Sequence, residues 1–359
     1  MIPITRNLLH WYDRHHRVLP WRTSPTEKIA GIIPNPYKVW LSEIMLQQTT
    51  VEAVKSYFNA FVSRWPTIHS LAAASEDDIL RAWAGLGYYS RARNLKKCAD
   101  TIVTQHKGEF PDKAAALKEL PGIGDYTSAA IAAIAFGEPV AVVDGNVERV
   151  ISRLYTIDTP LPAAKTEIRA LMGQLTPSDR PGDFAQAMMD LGATICTPRR
   201  PACAICPLNG DCTALSSHDP EDFPVKAPKA KKSIRTGAAF IAIAEDGSIL
   251  LRKREGNGLL AGMTEVPGSH WTARIDGDAS VNAAPFPAQW VSAGPITHIF
   301  THFELRLSVY WSDNISKDAS SDGWWSRPDE LSDEALPTVM KKAITAAIPE
   351  AFKRGRKHR

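Results

Sequence analysis

The chain has little of what marks a membrane or secreted protein. Its 359 residues contain no apolar run of about 18 residues that could span a bilayer. The N-terminal segment lacks the apolar region of a secretory signal. There are only five cysteines, and four of them fall within 17 residues, unlike the spread pairs of a disulfide framework. These absences predict a cytoplasmic protein that binds no membrane.

Neither sign of charge is in large excess, since the formal net charge is only +3. Ten basic residues nevertheless stand in two segments that contain no acid. A solvated linker and tail explain them, and so does a position near phosphate groups. The residues are Lys226, Lys229, Lys231, Lys232, Arg235, Lys353, Arg354, Arg356, Lys357 and Arg359.

The chain is long enough for two domains, and its apolar spacing changes part-way. Residues 1–222 repeat apolar side chains at helical spacing. Residues 223–235 are rich in Pro and Lys and predict a linker. Residues 236–350 predict an α+β domain, followed by a basic tail at 351–359.

Two patterns support strands in the second domain, and a third supports a helix. TGAAFIAIA and SILLRKR flank Asp246-Gly247, as in a β-hairpin. Apolar and polar residues alternate from Phe303 to Trp311, as in a strand with one buried face. The segment DELSDEALPTVMKKAITAAI predicts a closing helix.

Cys196, Cys203, Cys206 and Cys212 predict a metal centre, because four thiolates on a compact loop can enclose a cubane iron–sulfur cluster. A four-cysteine zinc site is the alternative, although it usually has two Cys-x-x-Cys pairs and this segment has one. Arg199 and Arg200 lie within the loop, where they are either phosphate ligands or solvated side chains. The fifth cysteine, Cys98, is expected to be a core residue.

A tight turn at Gly122 and Gly124 joins two predicted helices. Glycines let backbone approach a ligand, and amides at a helix N-terminus suit an anion. This is the chemistry of a helix–hairpin–helix that grips the DNA backbone, although any αα-hairpin can use the same two glycines.

The hairpin, a Gly/Pro loop, Val143-Asp144-Gly145-Asn146-Val147 and the cysteine cluster follow one another in order. LPWR at 19–22, SEIMLQQT at 42–49 and GLGYYSRAR at 85–93 add further motifs. The sequence resembles the helix–hairpin–helix DNA glycosylases related to endonuclease III, and within them the MutY adenine glycosylase family. That implies a multidomain protein, with an all-α glycosylase core and iron–sulfur loop followed by an α+β Nudix-like domain.

The resemblance also implies catalytic roles. Glu43 would protonate the departing adenine, which calls for a raised pKa and a buried carboxyl. Asp144 would stabilise the cationic sugar and Asn146 would orient it, while Asp144 also suits a helix cap. Bifunctional relatives carry a nucleophilic lysine two residues after Gly124. Tyr126 stands there and cannot form an imine, so a monofunctional enzyme is expected.

Recognition residues come from the same resemblance, and each has a plainer alternative. The set that lines the base pocket or fills the stack is Trp21, Arg22, Leu46, Gln48, Tyr88 and Gln186. Trp21 and Leu46 could instead be core residues, and Arg22 and Gln186 surface residues. In the second domain, Phe300, Thr301 and His302 replace a Phe-Ser-His loop that reads 8-oxoguanine, or they form only a β-turn.

The function expected is monofunctional removal of adenine mispaired with 8-oxoguanine or guanine in double-stranded DNA. The cofactor would be a [4Fe–4S] cluster, and the protein a monomer, associated with the nucleoid if bacterial. The alternatives are a mismatch or oxidised-pyrimidine glycosylase on the same core, and a non-catalytic iron–sulfur DNA-binding protein. Residues 269–284 lack the clustered carboxylates of Nudix pyrophosphatases, so no such hydrolysis is expected.

Overall fold

The computed structural model describes residues 2–227, 232–256 and 258–352. Two lysines of the predicted linker, Lys229 and Lys231, and the basic residues from 353 onward lie outside this range. The chain divides into two compact units. One is made of Met1–Ala74 and Asn94–Lys229, and the other of Ser75–Arg93 and Ala230–Arg359.

The described part of the chain contains fourteen α-helices, thirteen of them before residue 222, which confirms the helical N-terminal pattern. They are α1 Pro3–His15, α2 Pro25–Ile29, α3 Pro36–Leu46, α4 Val51–Arg64, α5 Ile68–Ala73, α6 Glu76–Trp83, α7 Ser90–Gln105, α8 Ala114–Lys118, α9 Asp125–Phe136, α10 Gly145–Leu154, α11 Lys165–Leu175, α12 Pro181–Thr194, α13 Thr213–Ser217 and α14 Thr338–Ala347. In that range no helix is both long and apolar enough to cross a membrane.

Side-chain caps set several of the helix starts. Ser75 accepts a hydrogen bond from the amide of Asp78 at 3.1 Å, and three acidic residues follow in the first turn of α6. Both features stabilise a helix N-terminus. Asp144 caps α10 in the same manner, which places a carboxylate at a defined position beside the functional site.

The core of the first unit is built from large apolar side chains of α1, α3, α4 and α12, including Tyr12, Trp40, Phe58 and Phe184. Helix α9 is buried along almost its whole length because it consists mainly of alanine and isoleucine. Cys98 is fully buried, and burial raises the pKa of its thiol to about 12. The expectation that Cys98 is a core residue is confirmed.

The second unit contains a six-stranded mixed sheet with β6 paired to β2 and the other strands in the order β3-β2-β1-β5-β4. Strands β1 and β5 run parallel, with Ser233 opposite Phe303, and β4 is antiparallel to β5. The predicted hairpin is confirmed, since β1 and β2 pair as antiparallel strands. The bounds are β1 Ser233–Ala244, β2 Ile249–Lys253, β3 Thr264–Glu265, β4 Val291–Ile299, β5 Phe303–Ile315 and β6 Trp324–Ser326.

The alternating pattern of β5 is confirmed from Phe303 to Val309, since Phe303, Leu305, Leu307 and Val309 are buried. It fails at the next position, because Trp311 is only half-buried and Ser312 is buried instead. The closing helix is shorter than predicted. Residues 329–333 lie in a turn, residues 335–337 have no regular structure, and α14 begins only after Pro337. Proline is favourable at a helix start but cannot donate a hydrogen bond inside one, so the acidic segment before it stays outside the helix.

Two boundaries differ from the sequence-based outline. Strand β1 begins at Ser233, within the segment predicted as linker. Residues Ser75–Arg93, including α6, belong to the unit that holds the sheet. An ion pair of 2.6 Å between Asp77 and Lys253 joins α6 to β2. A helical pattern identifies which face of α6 is apolar but not which core that face joins.

Candidate active site

A cavity of about 480 Å³ opens in the first unit, and we call it the Glu43 cavity. Its volume suits a small-molecule or base site. It lies where the loop after α1 meets α3, α9, α10 and α12. The described lining is Arg17, Leu19, Trp21, Arg22, Val39, Ser42, Glu43, Leu46, Gln47, Gln48, Thr49, Val51, Tyr126, Ile134, Val143, Asp144, Gly145, Asn146, Glu148, Lys165, Gln186 and Met189.

Glu43 lies on α3 with only 6% of its surface exposed. The hydroxyl of Tyr126 donates to Glu43 Oε2 at 2.8 Å. Burial is the main cause that raises the pKa of Glu43 to about 7. Asp144 raises this pKa further, whereas the Tyr126 bond and Arg22 lower it. The burial and raised pKa expected for Glu43 are confirmed, and a large share of this carboxyl is protonated near neutral pH.

Tyr126 follows the hairpin glycines on the first turn of α9. Burial and the charge of Glu43 raise the pKa of its phenol well above the usual 10.0. The hydroxyl therefore keeps its proton and remains a hydrogen-bond donor to Glu43. The contact unites a residue of α3 with one 83 positions later.

Asp144 faces the cavity while it caps α10. Its Oδ1 accepts from the amides of Asn146 at 2.9 Å and Val147 at 2.8 Å, and its Oδ2 accepts from the Asn146 side chain at 2.9 Å. The helix-cap alternative is therefore confirmed, and it is compatible with a second role. Three donors fix the direction of this carboxyl group.

Asn146 is held from its other side as well. Arg149 donates to Asn146 Oδ1 at 3.0 Å, to the carbonyl of Gly192 at 2.6 Å and to the carbonyl of Cys196 at 2.7 Å. A Cβ at Gly192 would lie 2.6 Å from Cβ of Asn146, so only glycine lets α12 pass this close. The Asp144–Asn146 pair is thus rigidly placed between α10 and α12.

The predicted base-pocket residues meet on the cavity wall. Trp21 is 7% exposed and packs edge-on against Phe58, with ring centroids 5.3 Å apart. Gln186 is 2% exposed, and its Nε2 donates to the carbonyl of Gly182 at 3.2 Å. The side chain of Arg22 is 9% exposed. The alternative that Arg22 and Gln186 are surface residues is wrong, because both are packed inside the fold and face the cavity.

Gln48 lies on the exposed rim of the cavity just after α3. Its φ of 59° falls in the left-handed region, which is unusual for a residue other than glycine. Strained backbone of this kind clusters at functional sites. Leu46, the last residue of α3, lines the same edge.

The hairpin has the geometry that its glycines predict. Gly122 has a φ of 76°, and a Cβ there would lie 2.6 Å from Cβ of Asn94. Gly124 precedes α9, and a Cβ there would meet no described atom within 4 Å. The amides at the start of α9 are therefore open to approach by an anion.

The cysteine loop fits a group that is held by thiolates. All four cysteines are free, and burial together with the other three thiols raises the pKa of Cys206 to about 11. The guanidinium of Arg153, 1% exposed, donates to Cys196 Sγ at 3.3 Å, as suits a negatively charged sulfur. No three metal-ligating side chains among the described residues are placed to share one ion. A cubane does not need this, since each thiolate binds its own iron.

Arg199 and Arg200 lie in this loop as expected, and both are exposed. Arg199 is 90% exposed and is 3.9 Å from Glu221. The amide of Arg200 donates to Glu221 Oε1 at 2.7 Å, which fixes the backbone while leaving the side chain in solvent.

The remaining predicted residues meet in the second unit. Phe300, Thr301 and His302 form the turn between β4 and β5. The hydroxyls of Tyr88 and Thr301 are 2.7 Å apart in an exposed hydrogen bond. Tyr88 has a φ of 50° and is 46% exposed. Phe300 stacks on Phe303 at a centroid distance of 4.8 Å. The β-turn alternative describes the backbone of these three residues correctly. Thr301 is nevertheless exposed at the tip of the turn.

Sequence reasoning missed several charged residues that hold this arrangement, namely Arg17, Glu148, Arg149, Arg153, Lys165 and Asp190. Asp190 carried a usable signal, since it is the only charged residue in the apolar run AMMDLGA. A carboxylate in such a run needs a buried partner. Its partners were not readable, because they lie about 170 positions earlier.

Comparison with known proteins assigns families to these elements. Residues 41–177 match the HhH-GPD superfamily of base excision DNA repair proteins. Residues 196–212 match the iron–sulfur binding domain of endonuclease III, and residues 238–346 match the NUDIX domain. The three matches follow the order of the hairpin, the cysteine loop and the sheet.

Whole-chain relatives decide the family. The adenine DNA glycosylase of Homo sapiens is 35% identical over 398 aligned residues, which cover 94% of this chain and 72% of that protein. The chain belongs to the adenine DNA glycosylase family. The adenine DNA glycosylase of Buchnera aphidicola is 39% identical over 250 residues, or 68% of each chain. A solved thermostable thymine-DNA glycosylase is 28% identical with a TM-score of 0.53, covering 59% of this chain and 94% of that one.

Family membership makes the chain a DNA glycosylase, so DNA is its partner. It also identifies the group at Cys196, Cys203, Cys206 and Cys212 as a [4Fe–4S] cluster. When bound, the cluster cross-links the loop that carries Arg199 and Arg200.

Proposed function

We propose that this enzyme removes adenine mispaired with 8-oxoguanine or guanine from double-stranded DNA, by hydrolysis of the N-glycosidic bond. One observation carries the proposal: a buried carboxyl with a pKa of about 7, Glu43, lines the same base-sized cavity as Asp144, a carboxyl of fixed direction. Breaking such a bond needs an acid for the leaving base and a negative group near the oxocarbenium-like sugar.

The proposed reaction uses these two groups in turn. Glu43 gives its proton to a ring nitrogen of adenine, and the base departs with the electrons of the glycosidic bond. Asp144 stabilises the positive charge that remains on the sugar, with Asn146 holding its direction. Water then adds to the sugar carbon, and the proton it loses replaces the one that Glu43 gave. An abasic site remains.

The enzyme is proposed to be monofunctional. Tyr126 takes the position of the nucleophilic lysine, and its hydroxyl is engaged as a donor to Glu43. The one amine along the described lining, Lys165, is held by Glu148 at 2.9 Å as an ion pair. Attack on the sugar by this amine would require breaking the ion pair and removing a proton from the nitrogen. Borohydride trapping of a covalent adduct in good yield would contradict this part of the proposal.

Base flipping and lesion reading are assigned to the residues around the two sites. We propose that Trp21, Arg22, Leu46 and Gln186 enclose the flipped adenine, since all four line the Glu43 cavity. Gln48 and Tyr88 would fill the gap in the stack, a task that suits exposed side chains on strained backbone. Phe300, Thr301 and His302 would read 8-oxoguanine, with the threonine hydroxyl as the polar contact.

Contacts to the DNA backbone are assigned to the hairpin and the cysteine loop. Gly122 and Gly124 open the start of α9 to a phosphate, and Arg199 and Arg200 present guanidinium groups from a braced loop. In this proposal the cluster supports the loop and takes no part in bond cleavage.

The test compares base release from four duplexes, namely 8-oxoguanine:adenine, guanine:adenine, guanine:thymine and one with an oxidised pyrimidine. Heating in alkali converts each abasic site into a strand break. Cleavage at adenine in the first two duplexes, lost in Glu43→Gln, supports the proposal. Cleavage only at thymine or at the oxidised pyrimidine would assign the alternative activity. Tight binding without cleavage of any duplex would assign a binding protein.

A further inference from the structure

Asp190 is a carboxylate of α12 with no exposed surface. Both of its oxygens bind arginine. Arg22 donates to Oδ2 at 2.7 Å and to Oδ1 at 2.9 Å, a bidentate pair. Arg17 adds its amide to Oδ2 at 2.9 Å and its Nε to Oδ1 at 2.5 Å. Four donors thus hold one buried carboxylate in a fixed direction.

The pair remains ionised although it is buried. Burial opposes the charge on Arg22, but Asp190 raises the pKa of that guanidinium above its usual value. The two arginines in turn lower the pKa of Asp190 against the effect of its own burial. Separating such a pair would leave an uncompensated charge inside the protein.

The guanidinium of Arg22 has a second carboxyl group within electrostatic reach. Arg22 and Glu43 line the same cavity, and the charge on Arg22 already lowers the pKa of Glu43. Tyr12 of α1 is the other titratable neighbour of Arg22. If Asp190 lost its charge, Glu43 would be the remaining carboxyl among these neighbours. An ion pair with Arg22 would hold Glu43 in the deprotonated form.

Charged and titratable groups face Glu43 from three other elements. Tyr126 of α9 donates to it, while Asp144 before α10 and Arg22 of the loop after α1 act through space. Burial and Asp144 favour the neutral carboxyl, whereas Tyr126 and Arg22 favour the ionised form. The other charged residues of the described lining are Arg17, Glu148 and Lys165.

We propose that Asp190 is a positioning residue. It holds the guanidinium of Arg22 against the cavity wall, and so leaves Glu43 able to carry the proton for the departing base. The inference rests on the proposed function, because it assigns a purpose to the protonated form of Glu43. A purely structural role, tying α12 to the loop after α1, would stabilise the fold without affecting protonation.

The test is the pH dependence of adenine release at single turnover, measured from about pH 5 to about pH 9. In wild type the rate is expected to fall as pH rises through about 7, because Glu43 loses its proton. In Asp190→Asn this fall is expected about one to two pH units lower, because Arg22 then pairs with Glu43. The variant should therefore be close to wild type in acid and at least about tenfold slower in weak alkali.

Arg22→Gln gives a second, independent measurement. Removing the cation is expected to move the fall in rate to higher pH, the opposite direction to Asp190→Asn. The double variant should follow Arg22→Gln, since Asp190 is proposed to act through Arg22. Asp183→Asn is the matched control. Asp183 is also buried on α12 and paired, with Lys28 at 2.6 Å, but it lies outside the Glu43 cavity, so the pH profile should not move.

Each outcome decides between the roles. A uniform loss of rate in Asp190→Asn with an unmoved pH profile overturns the proposal. If that variant does not fold, an unmoved profile in Arg22→Gln overturns it instead, and a shift to higher pH supports it. A wild-type enzyme that releases no adenine refutes the proposed function and this inference with it, whereas an unmoved profile in an enzyme that does release adenine overturns the inference alone.

Discussion

Glu43 is buried in its cavity with Tyr126, Asp144 and Arg22 acting on it, whereas Tyr88 and Thr301 of the second unit meet at the surface through one hydrogen bond. Burial strengthens charge interactions and shifts the pKa of Glu43. Solvent weakens the hydroxyl pair, whose exchange for a hydrogen bond to DNA or water costs little. The buried arrangement suits proton transfer, which needs a large pKa shift. The exposed one suits discrimination between similar bases, which needs a weak hydrogen bond that can be exchanged.

The largest effect is expected for Glu43→Gln, which keeps the shape of the side chain but removes the proton donor. Adenine release should slow by about 10²- to 10⁴-fold in single-turnover assays, the range for loss of a general acid. Glu52→Gln, an exposed carboxyl on the neighbouring α4, should leave the rate unchanged. An equal loss of rate in Glu52→Gln would mean that burial is not what makes Glu43 the proton donor.

The same substitution should also change stability with pH. The pKa of Glu43 is raised in the folded state, from the usual 4.5 to about 7, so its stabilising contribution is complete below 4.5 and is lost as pH rises through 7. Above pH 7, the free energy of unfolding of Glu43→Gln should be higher than that of wild type, by up to about 3 kcal/mol. Denaturant unfolding at pH 5 and pH 8 measures the difference, which should be small in acid.

Arg153→Met tests the buried groups that hold the cysteine loop. Arg153 donates to the carbonyls of Phe223, Thr197 and Pro198 as well as to Cys196. Leaving these buried acceptors unpaired should destabilise the unit by about 3–5 kcal/mol. The thermal midpoint and the iron content per chain should both fall. Arg199→Ala, at an exposed position of the same loop, should change neither.

Tyr126→Phe should have a moderate effect that separates hydrogen bonding from burial. The Tyr126 bond lowers the pKa of Glu43, so its removal raises that pKa and moves the fall in activity to higher pH. The rate near neutral pH should stay within about tenfold of wild type, the size of one hydrogen bond. A pH profile that moves to lower pH would contradict the conclusion that this bond lowers the pKa of Glu43.

The smallest effect is expected for Thr301→Ala, which removes one partner of the exposed hydroxyl pair. Preference for the 8-oxoguanine duplex over the guanine duplex should fall a few-fold, about 1 kcal/mol or less, with catalysis of bound adenine unchanged. Thr301→Ser keeps the hydroxyl and should behave as wild type. Equal binding of Thr301→Ala and wild type to the lesion duplex would remove Thr301 from the recognition site.

Much of the site was predictable because its residue types fall in ordered local motifs. The cysteine spacing, the glycines of the hairpin and the carboxylates Glu43 and Asp144 were all recognisable along the chain. From the sequence, Arg22 and Gln186 could equally have been surface residues, since long polar side chains are usually exposed. Only the packing of the folded chain shows that they lie inside it. Residues 75–93 read as one more helical segment, and nothing local showed that they join the unit with the sheet.

The sequence by itself determined which chemistry is available: four thiols, an acid and a second carboxylate, and a phenol where a lysine would make an imine. It also determined the helices and the alternating strand, because caps and apolar periods are local. Only the tertiary structure decided that Glu43 carries a proton near pH 7. That state depends on burial and on Tyr126, Asp144, Arg22 and, through Arg22, Asp190, which are far apart in the chain and adjacent only when it is folded.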